Sequence, residues 1–286
     1  MSVVRIAVFD ARRLLRSPGA WIGTVVFAFV QSLGVALPAL ALESPSPAIG
    51  TAFLLGPATD IVLPILAIVL TFGAIAGERD RGRLTVFLST PLDRAQILLG
   101  TLLGRASLVM LAVTIGSIPG ILTIVALYGA PEPRPIVGFL LISILASFTY
   151  ASIGVGISAT FATPARSVAV LIGGFVFAYA LWEPATTALH YLHTGSLPGP
   201  APPRWFEILQ MLSPLEAYSH ALNGVLPPSP HLVLAITEEG IDADAGEFVG
   251  GALSAGDGGL VVAICGLWSA AAVSLGYLRL KRADVG

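Results

Sequence analysis

Lysine is almost missing from this chain: across 286 residues it occurs once, as Lys281, between Leu280 and Arg282. A phosphate-cradling P-loop needs a Gly-Lys-Ser/Thr run whose lysine reaches the β- and γ-phosphates, so none can be written here. Cysteine is equally scarce. Cys265 stands alone, which excludes an intrachain disulfide and any cysteine-based zinc site. Charge of either sign is low, 11% against roughly 25% in an average soluble chain. There is no basic stripe for nucleic acid and no dinucleotide fingerprint. No Ser-His-Asp spacing, H-E-x-x-H run or pair of carboxylates inside an apolar segment points to an enzyme.

What the chain has in abundance is hydrocarbon. Hydrophobic residues make up 55% of it, with 31 Gly and 21 Pro, and the mean hydropathy is +0.87. Several apolar runs reach or approach the ~20 residues that cross a bilayer core, and small residues and proline are tolerated in such helices. The expectation is an all-α polytopic membrane protein with six transmembrane helices, near 21–42, 61–77, 106–128, 136–161, 168–182 and 259–278. The second and fifth runs are short. Phe53 to Leu55 can extend the second outward past Pro57 and Asp60, and the fifth can extend toward Leu189. The first sixteen residues hold four arginines and no long apolar core, so no cleavable signal peptide is expected.

Cations orient the spans. With the N-terminus inside, thirteen of the fifteen Lys and Arg side chains face the cytoplasm and only Arg134 and Arg204 lie outside. Both termini are then cytoplasmic in a multi-pass protein of the cell membrane. Twelve of the seventeen acidic residues fall outside, many of them in 237–257, a stretch expected to stay solvated and poorly ordered. Residues 1–17 read as a separate amphipathic helix. Val3, Val4, Ala7, Val8, Ala11, Leu14 and Leu15 share one arc and Arg5, Arg12, Arg13 and Arg16 the other, with Phe9 among the arginines. That pattern suits a helix lying in the inner interface; the plainer reading is a basic tail that only fixes topology.

The most informative segment joins the second and third spans. Glu78, Arg79, Asp80, Arg81 and Arg83 end the second span, and Leu84, Phe87 and Leu88 follow at helical spacing as one apolar ridge. Thr90-Pro91-Leu92-Asp93 then reads as a second helix start, with Thr90 as cap, Pro91 at the first helical position and Asp93 at the positive end. This second helix runs through Arg94 into span three. The result is a stiff surface elbow, although a polar loop required by the positive-inside rule is the ordinary alternative.

The spacing Glu78-x3-Gly82-x-Leu84-x3-Leu88-x2-Pro91-x2-Arg94-x5-Gly100-x3-Gly104 resembles the signature of ABC-2-type transporter permeases. Thr101 and Arg83 depart from it, where the family usually has lysine and threonine. Met211-Leu-Ser-Pro214-Leu-Glu216-Ala-Tyr218 is similar to the segment before the last span, most of all in the subgroup resembling nitrous-oxide-reductase maturation permeases. The resemblance implies a domain over 18–286, a coupling helix at 78–97 and short outer re-entrant helices within the outer segment 183–258. It implies that Glu78, Arg81, Gly82, Leu84, Phe87, Leu88, Pro91, Asp93 and Arg94 face an ATPase, and that Pro214, Glu216 and Tyr218 belong to the re-entrant motif. It also implies a separate cytosolic ABC ATPase that holds ATP and Mg, with no cofactor on this chain, and a second permease copy or paralogue. An ATP-independent carrier and a non-transporting scaffold or maturation factor are the rivals.

Other features carry less. Gly73/Gly77, Gly100/Gly104 and Gly116/Gly120 permit close helix approach, more simply within the chain than at a dimer seam. Pro64 and Pro119 sit inside spans two and three, where each should kink its helix. His190 and His193 are three apart and could share a metal with Glu183 or Glu216, but outward histidines are ordinarily solvated, so no metal site is expected. Asp60 and Glu183 border the hydrocarbon zone and are expected to reach outer-side water. The cargo, by the lack of embedded charge, is expected to be hydrophobic.

Overall fold

The computed structural model describes residues 3–40, 46–82, 93–199, 202–225, 236–237, 240–241 and 257–282. Among these are six helices, or runs of helices, long and apolar enough to cross a membrane: Pro18–Ala39, Pro47–Asp80, Arg94–Leu127, Pro133–Thr160, Pro164–Thr194 and Gly258–Arg282. The expected all-helical, six-span architecture is what the chain forms. A two-residue antiparallel ladder, β1 (Ile236–Thr237) with β2 (Gly240–Ile241), is the exception. Apart from Asp257, which opens the last helix, the rest of the acidic stretch expected to be solvated lies outside the described residues.

Proline starts half of these helices because its fixed φ suits the first turn and its missing N–H is not needed there. It opens α2 (Pro18–Ala39), α3 (Pro47–Leu55), α4 (Pro57–Thr71), α7 (Pro133–Thr160) and α8 (Pro164–Val176). An N-terminal helix α1 (Val3–Leu15), a short α5 (Ala76–Asp80) and a long α6 (Arg94–Leu127) complete the first half. After α8 comes one π-helical turn, Phe177–Leu181, then α9 (Trp182–Thr194), α10 (Arg204–Met211), α11 (Pro214–Asn223) and α12 (Asp257–Arg282).

Span two is not one short helix but three pieces, and each break exposes backbone that must find a partner away from water. At the Gly56 break the freed Leu54 carbonyl accepts from Thr59 Oγ1 (2.9 Å) and from Gln31 Nε2 of α2 (3.4 Å). Thr59 Oγ1 also lies 3.0 Å from Gln31 Oε1, and Gln31 is 1% exposed. At the other break, between Thr71 and Ala76, Ser158 of α7 does the same work. Its Oγ accepts from the Ile75 and Ala76 amides, both at 3.1 Å, and donates to the Phe72 carbonyl (2.9 Å). Pro64 and Pro119 each lie inside a continuous helix, α4 and α6.

At the centre stands α7, packed on α3, α4, α5, α6, α8, α11 and α12. Its stripe of small residues makes this possible. Ser143, Ser147, Ser152 and Ser158 are all fully buried, and Ser147 and Ser152 return their hydroxyls to carbonyls one turn back, so that neither is left unpaired. A Cβ on Gly276 of α12 would lie 2.8 Å from the Gly156 carbonyl, and one on Gly154 would overlap Thr71. Nothing in the spacing of these three glycines along the sequence marks them as contact points. The main core gathers Phe27, Leu63, Leu98, Val113, Phe139, Val155 and Leu280 around α7 and α6. Span five (α8, the π turn and α9) is the outlier: Ser167 and Leu171 alone are buried in α8, and Val170, Ile172, Val176, Phe177, Tyr179 and Leu181 are exposed.

Candidate coupling site

At the arginine-rich end, α1 does not lie apart from the bundle. It packs along α6 because Gly100 and Gly104 offer no side chain there: a Cβ on Gly100 would stand 2.6 Å from Ile6 Cβ, and one on Gly104 2.8 Å from the Ala7 carbonyl. One side of α1 is therefore occupied by protein, and Val4, Val8 and Phe9 remain exposed. The second pair, Gly116 and Gly120, seats α2 and α3 through Phe27 and Leu54. Both pairs serve packing within the chain. The third does not, since nothing lies within 4 Å of a Cβ on Gly73.

Two ion pairs lock α1 in place. Arg105 Nε donates to Asp10 Oδ2 (2.9 Å), with both side chains nearly enclosed, and Arg105 Nη1 donates to the Leu70 carbonyl of α4. Burial pushes the Asp10 carboxyl above its ordinary range against the pull of Arg105. A turn further on, Arg13 Nη1 donates to Glu78 Oε1 (2.8 Å), and Arg81 Nη1 approaches the same oxygen at 3.7 Å. Glu78 thus ties α1 to α5. Arg79 Nη1 reaches the Phe161 carbonyl just past α7 (3.2 Å).

Gly82 ends α5 in the left-handed region, φ +67°, which a side chain would strain. Leu84, Phe87, Leu88, Thr90 and Pro91 lie outside the described residues, so the apolar ridge and the Thr90–Pro91 helix start do too. Asp93 occupies the cap position of α6 in extended conformation and makes no side-chain cap bond. Arg94 reaches across to the last helix: Nη1 donates to the Lys281 carbonyl (2.9 Å) and to the Leu280 carbonyl. A guanidinium on the last carbonyls of α12 satisfies orphan acceptors and complements the negative end of the helix dipole. Thr101, which stands where the family carries lysine, is buried.

Of the residues expected to face an ATPase, the structure brings Glu78, Arg81, Gly82, Asp93 and Arg94 to this one end, at the junction of α1, α5, α6 and α12. Sequence reasoning missed Asp10, Arg79, Arg105 and Ser158 as the parts that hold them. Two signals were available. Asp10 is the lone acid of α1, and Arg105 is the lone charge following a run of apolar residues in α6.

At the opposite end Pro214 opens α11, Tyr218 is 1% exposed, and its hydroxyl lies 3.0 Å from Ser143 Oγ of α7. Glu216 is half-buried; burial, with Glu183 adding like charge, raises its carboxyl above the ordinary value. His190 corrects the expectation of a solvated histidine. It is 4% exposed, stacks on Trp205 at 5.5 Å, meets Phe206 edge-on, and places Nδ1 3.1 Å from the Ser196 carbonyl. Its imidazole fixes the α9–α10 hairpin, and His193 touches Trp205 as well. Among the described residues no group of three His, Cys, Asp or Glu is placed to hold a metal. Asp60 lies within span two, half-buried, with Oδ1 enclosed and unpaired.

Comparison with known proteins agrees with this architecture. The sequence profile described as "ABC-2 family transporter protein" matches residues 4–285. A protein of Pseudomonas aeruginosa (strain PAO1) named "Probable ABC transporter permease protein NosY" is 28% identical over 179 residues, 58% of this chain and 64% of that protein. A protein of the same name from Stutzerimonas stutzeri is 44% identical over 55 residues, 19% of this chain and 20% of its own length. The chain therefore spans less than two thirds of either curated relative. With the family profile covering nearly the whole chain, the six-helix protein described above belongs to the ABC-2 family of transporter proteins and is a multi-pass membrane protein.

Proposed function

We propose that this chain is the permease subunit of an exporter of the cell membrane. A separate cytosolic ABC ATPase holding ATP and Mg drives it, and a second permease copy or paralogue completes the pore. The observation that carries the reading is the junction at the arginine-rich end. Glu78 and Arg94, two positions of the family-like spacing, are each bonded to a different neighbouring helix, so a push on the segment between them reaches α1, α6 and α12 together. A loosely attached loop would lose that displacement in side-chain and backbone motion. The orientation follows from the cations, which put this end and both termini in the cytoplasm.

The test is ATP hydrolysis and transport by the assembled complex. Leu84→Ala, Leu88→Ala and Pro91→Ala are expected to leave the chain folded but to lower ATPase stimulation and flux together. Hydrolysis and flux unchanged in all three variants would remove the coupling role. Affinity purification is expected to bring an ABC ATPase with the chain.

Asp60 favours one second reading, a carrier that uses an embedded carboxylate to couple an ion to transport. Asp60→Asn separates the two. An ion-coupled carrier loses its flux, whereas an ATP-driven permease retains ATP-dependent flux.

A further inference from the structure

Between α4, α7, span five, the start of α11 and α12 lies a cavity of about 270 Å³. Sixteen residues line it, among them Ile68, Ile153, Leu171, Phe175, Leu215 and Trp268. Only four of the sixteen carry a polar side-chain group: Tyr150, Trp182, Ser213 and Trp268. The two indoles are already committed, Trp182 Nε1 to the Gln210 carbonyl (2.9 Å) and Trp268 Nε1 to the Leu212 carbonyl (2.8 Å). The Tyr150 and Ser213 hydroxyl oxygens have no hydrogen-bond partner but are enclosed by protein and do not reach the void, so the wall presented to it is hydrocarbon.

Water gains nothing in such a space, because it needs two to four polar partners. Apolar cavities smaller than this one stay dry and take up apolar guests. The shape is set by span five, whose lining residues run from Val170 to Trp182, about 18 Å along the helix at 1.5 Å per residue. Val170 and Phe177, both lining residues, are exposed on the side of span five that the bundle leaves uncovered, the side a surrounding bilayer would wet. Nothing lies within 4 Å of a Cβ built on Gly174, a lining residue, so one wall is held open by an absent side chain.

We infer that this cavity is a binding site for a single hydrocarbon chain, an acyl chain of a bilayer phospholipid, lying alongside span five. The inference needs the helices to sit in a membrane and the second permease copy proposed above to leave this side of span five to lipid. Its assay contains no nucleotide, so its failure is separate from failure of ATPase coupling.

The experiment uses the purified full chain, with any subunits that accompany it, in vesicles of phosphatidylcholine and phosphatidylglycerol. One arm carries a phospholipid with a diazirine on its acyl chain, the other a diazirine fatty acid. After irradiation, adducts are mapped by mass spectrometry. Phospholipid adducts are expected on Leu171, Phe175 or Ile153, falling several-fold in Gly174→Phe, while adducts on the outward Ile172 and Val176 persist. Labelling by phospholipid alone identifies a bilayer lipid as the occupant. Labelling of the same residues by the fatty acid alone keeps the site but overturns the phospholipid as its source. Labelling of the lining by neither probe, or labelling indifferent to filling, overturns the site. Ala178→Leu is the second filling variant should Gly174→Phe not fold.

Discussion

Ser158 shows how much one hydroxyl can hold. It accepts two amides and supplies one carbonyl bond where span two breaks, so Ser158→Ala strands two buried donors. The expected loss is about 1–3 kcal/mol, read as a lower melting temperature of the purified protein, with the variant retaining its helix content. Asp10 and Arg105 form a nearly enclosed pair, and removing one partner leaves the other charge uncompensated. Asp10→Ala is expected to cost about 3–5 kcal/mol. A double-mutant cycle with Arg105→Met, showing the pair of changes milder than the sum, checks that origin. Glu216 adds a pH dependence. Its carboxyl titrates above its ordinary value in the folded chain because of burial and Glu183, so the stability it contributes is full below that ordinary value and is lost as pH rises through the folded value. Melting temperature measured across the mildly acidic range should fall with rising pH in the parent, and Glu216→Gln should flatten that slope.

Elements meet here by removing side chains rather than by adding contacts. At Gly100 and Gly104 the backbone of α6 lies so near α1 that any Cβ meets Ile6, Ala7 or Asp10. Gly104→Leu is therefore expected to lift α1 off the bundle and break the Asp10–Arg105 pair. A cysteine placed at Ala7 should then react with a maleimide much faster than in the parent, and an unchanged rate would refute the packing role. The legibility of these contacts differed from pair to pair. The i, i+4 glycine pattern was visible for Gly100/Gly104 and Gly116/Gly120, and packing within the chain is what both do. Gly73/Gly77 has the same spacing but falls at the break after α4, where Gly73 meets no neighbour. Gly156 and Gly276 make an equally close approach without forming any such pattern, because the two residues belong to helices far apart in sequence.

For the whole molecule the proposed topology makes a direct prediction. A single cysteine at Arg12 or Arg282, in a chain with Cys265 replaced by serine, should react only when the cytoplasmic face is opened to a membrane-impermeant reagent, and one at Arg204 should react from outside intact cells. The reverse pattern would invert the assignment of the coupling end. The six spans were legible from hydropathy alone, but their ends were not. Span two begins at Pro47, because its outer break is satisfied by Thr59 just beyond it and by Gln31 of α2, and span five continues through a π turn to Thr194. Neither the loss of backbone bonds at a break nor their replacement by a distant side chain leaves a periodic trace.

Composition and order of residues settled the class of molecule. An 11% charged chain with six long apolar runs has to bury its backbone bonds in helices inside a membrane, and its arginines favour one end. An elbow between spans two and three is expected from local spacing, since caps, turns and amphipathic faces are written within a few residues of one another; its residues 83–92 lie outside the described ones. Tertiary structure decided what the residues flanking that segment are fastened to. Glu78 faces Arg13 of α1, Arg94 faces the end of α12, and Ser158 mends a break 83 positions away. It also made His190 a packing residue by setting Trp205 and Phe206 against it. Such pairings join residues distant along the chain, and hydrogen bonds of this kind depend on where helices come to rest, which no short stretch of sequence specifies.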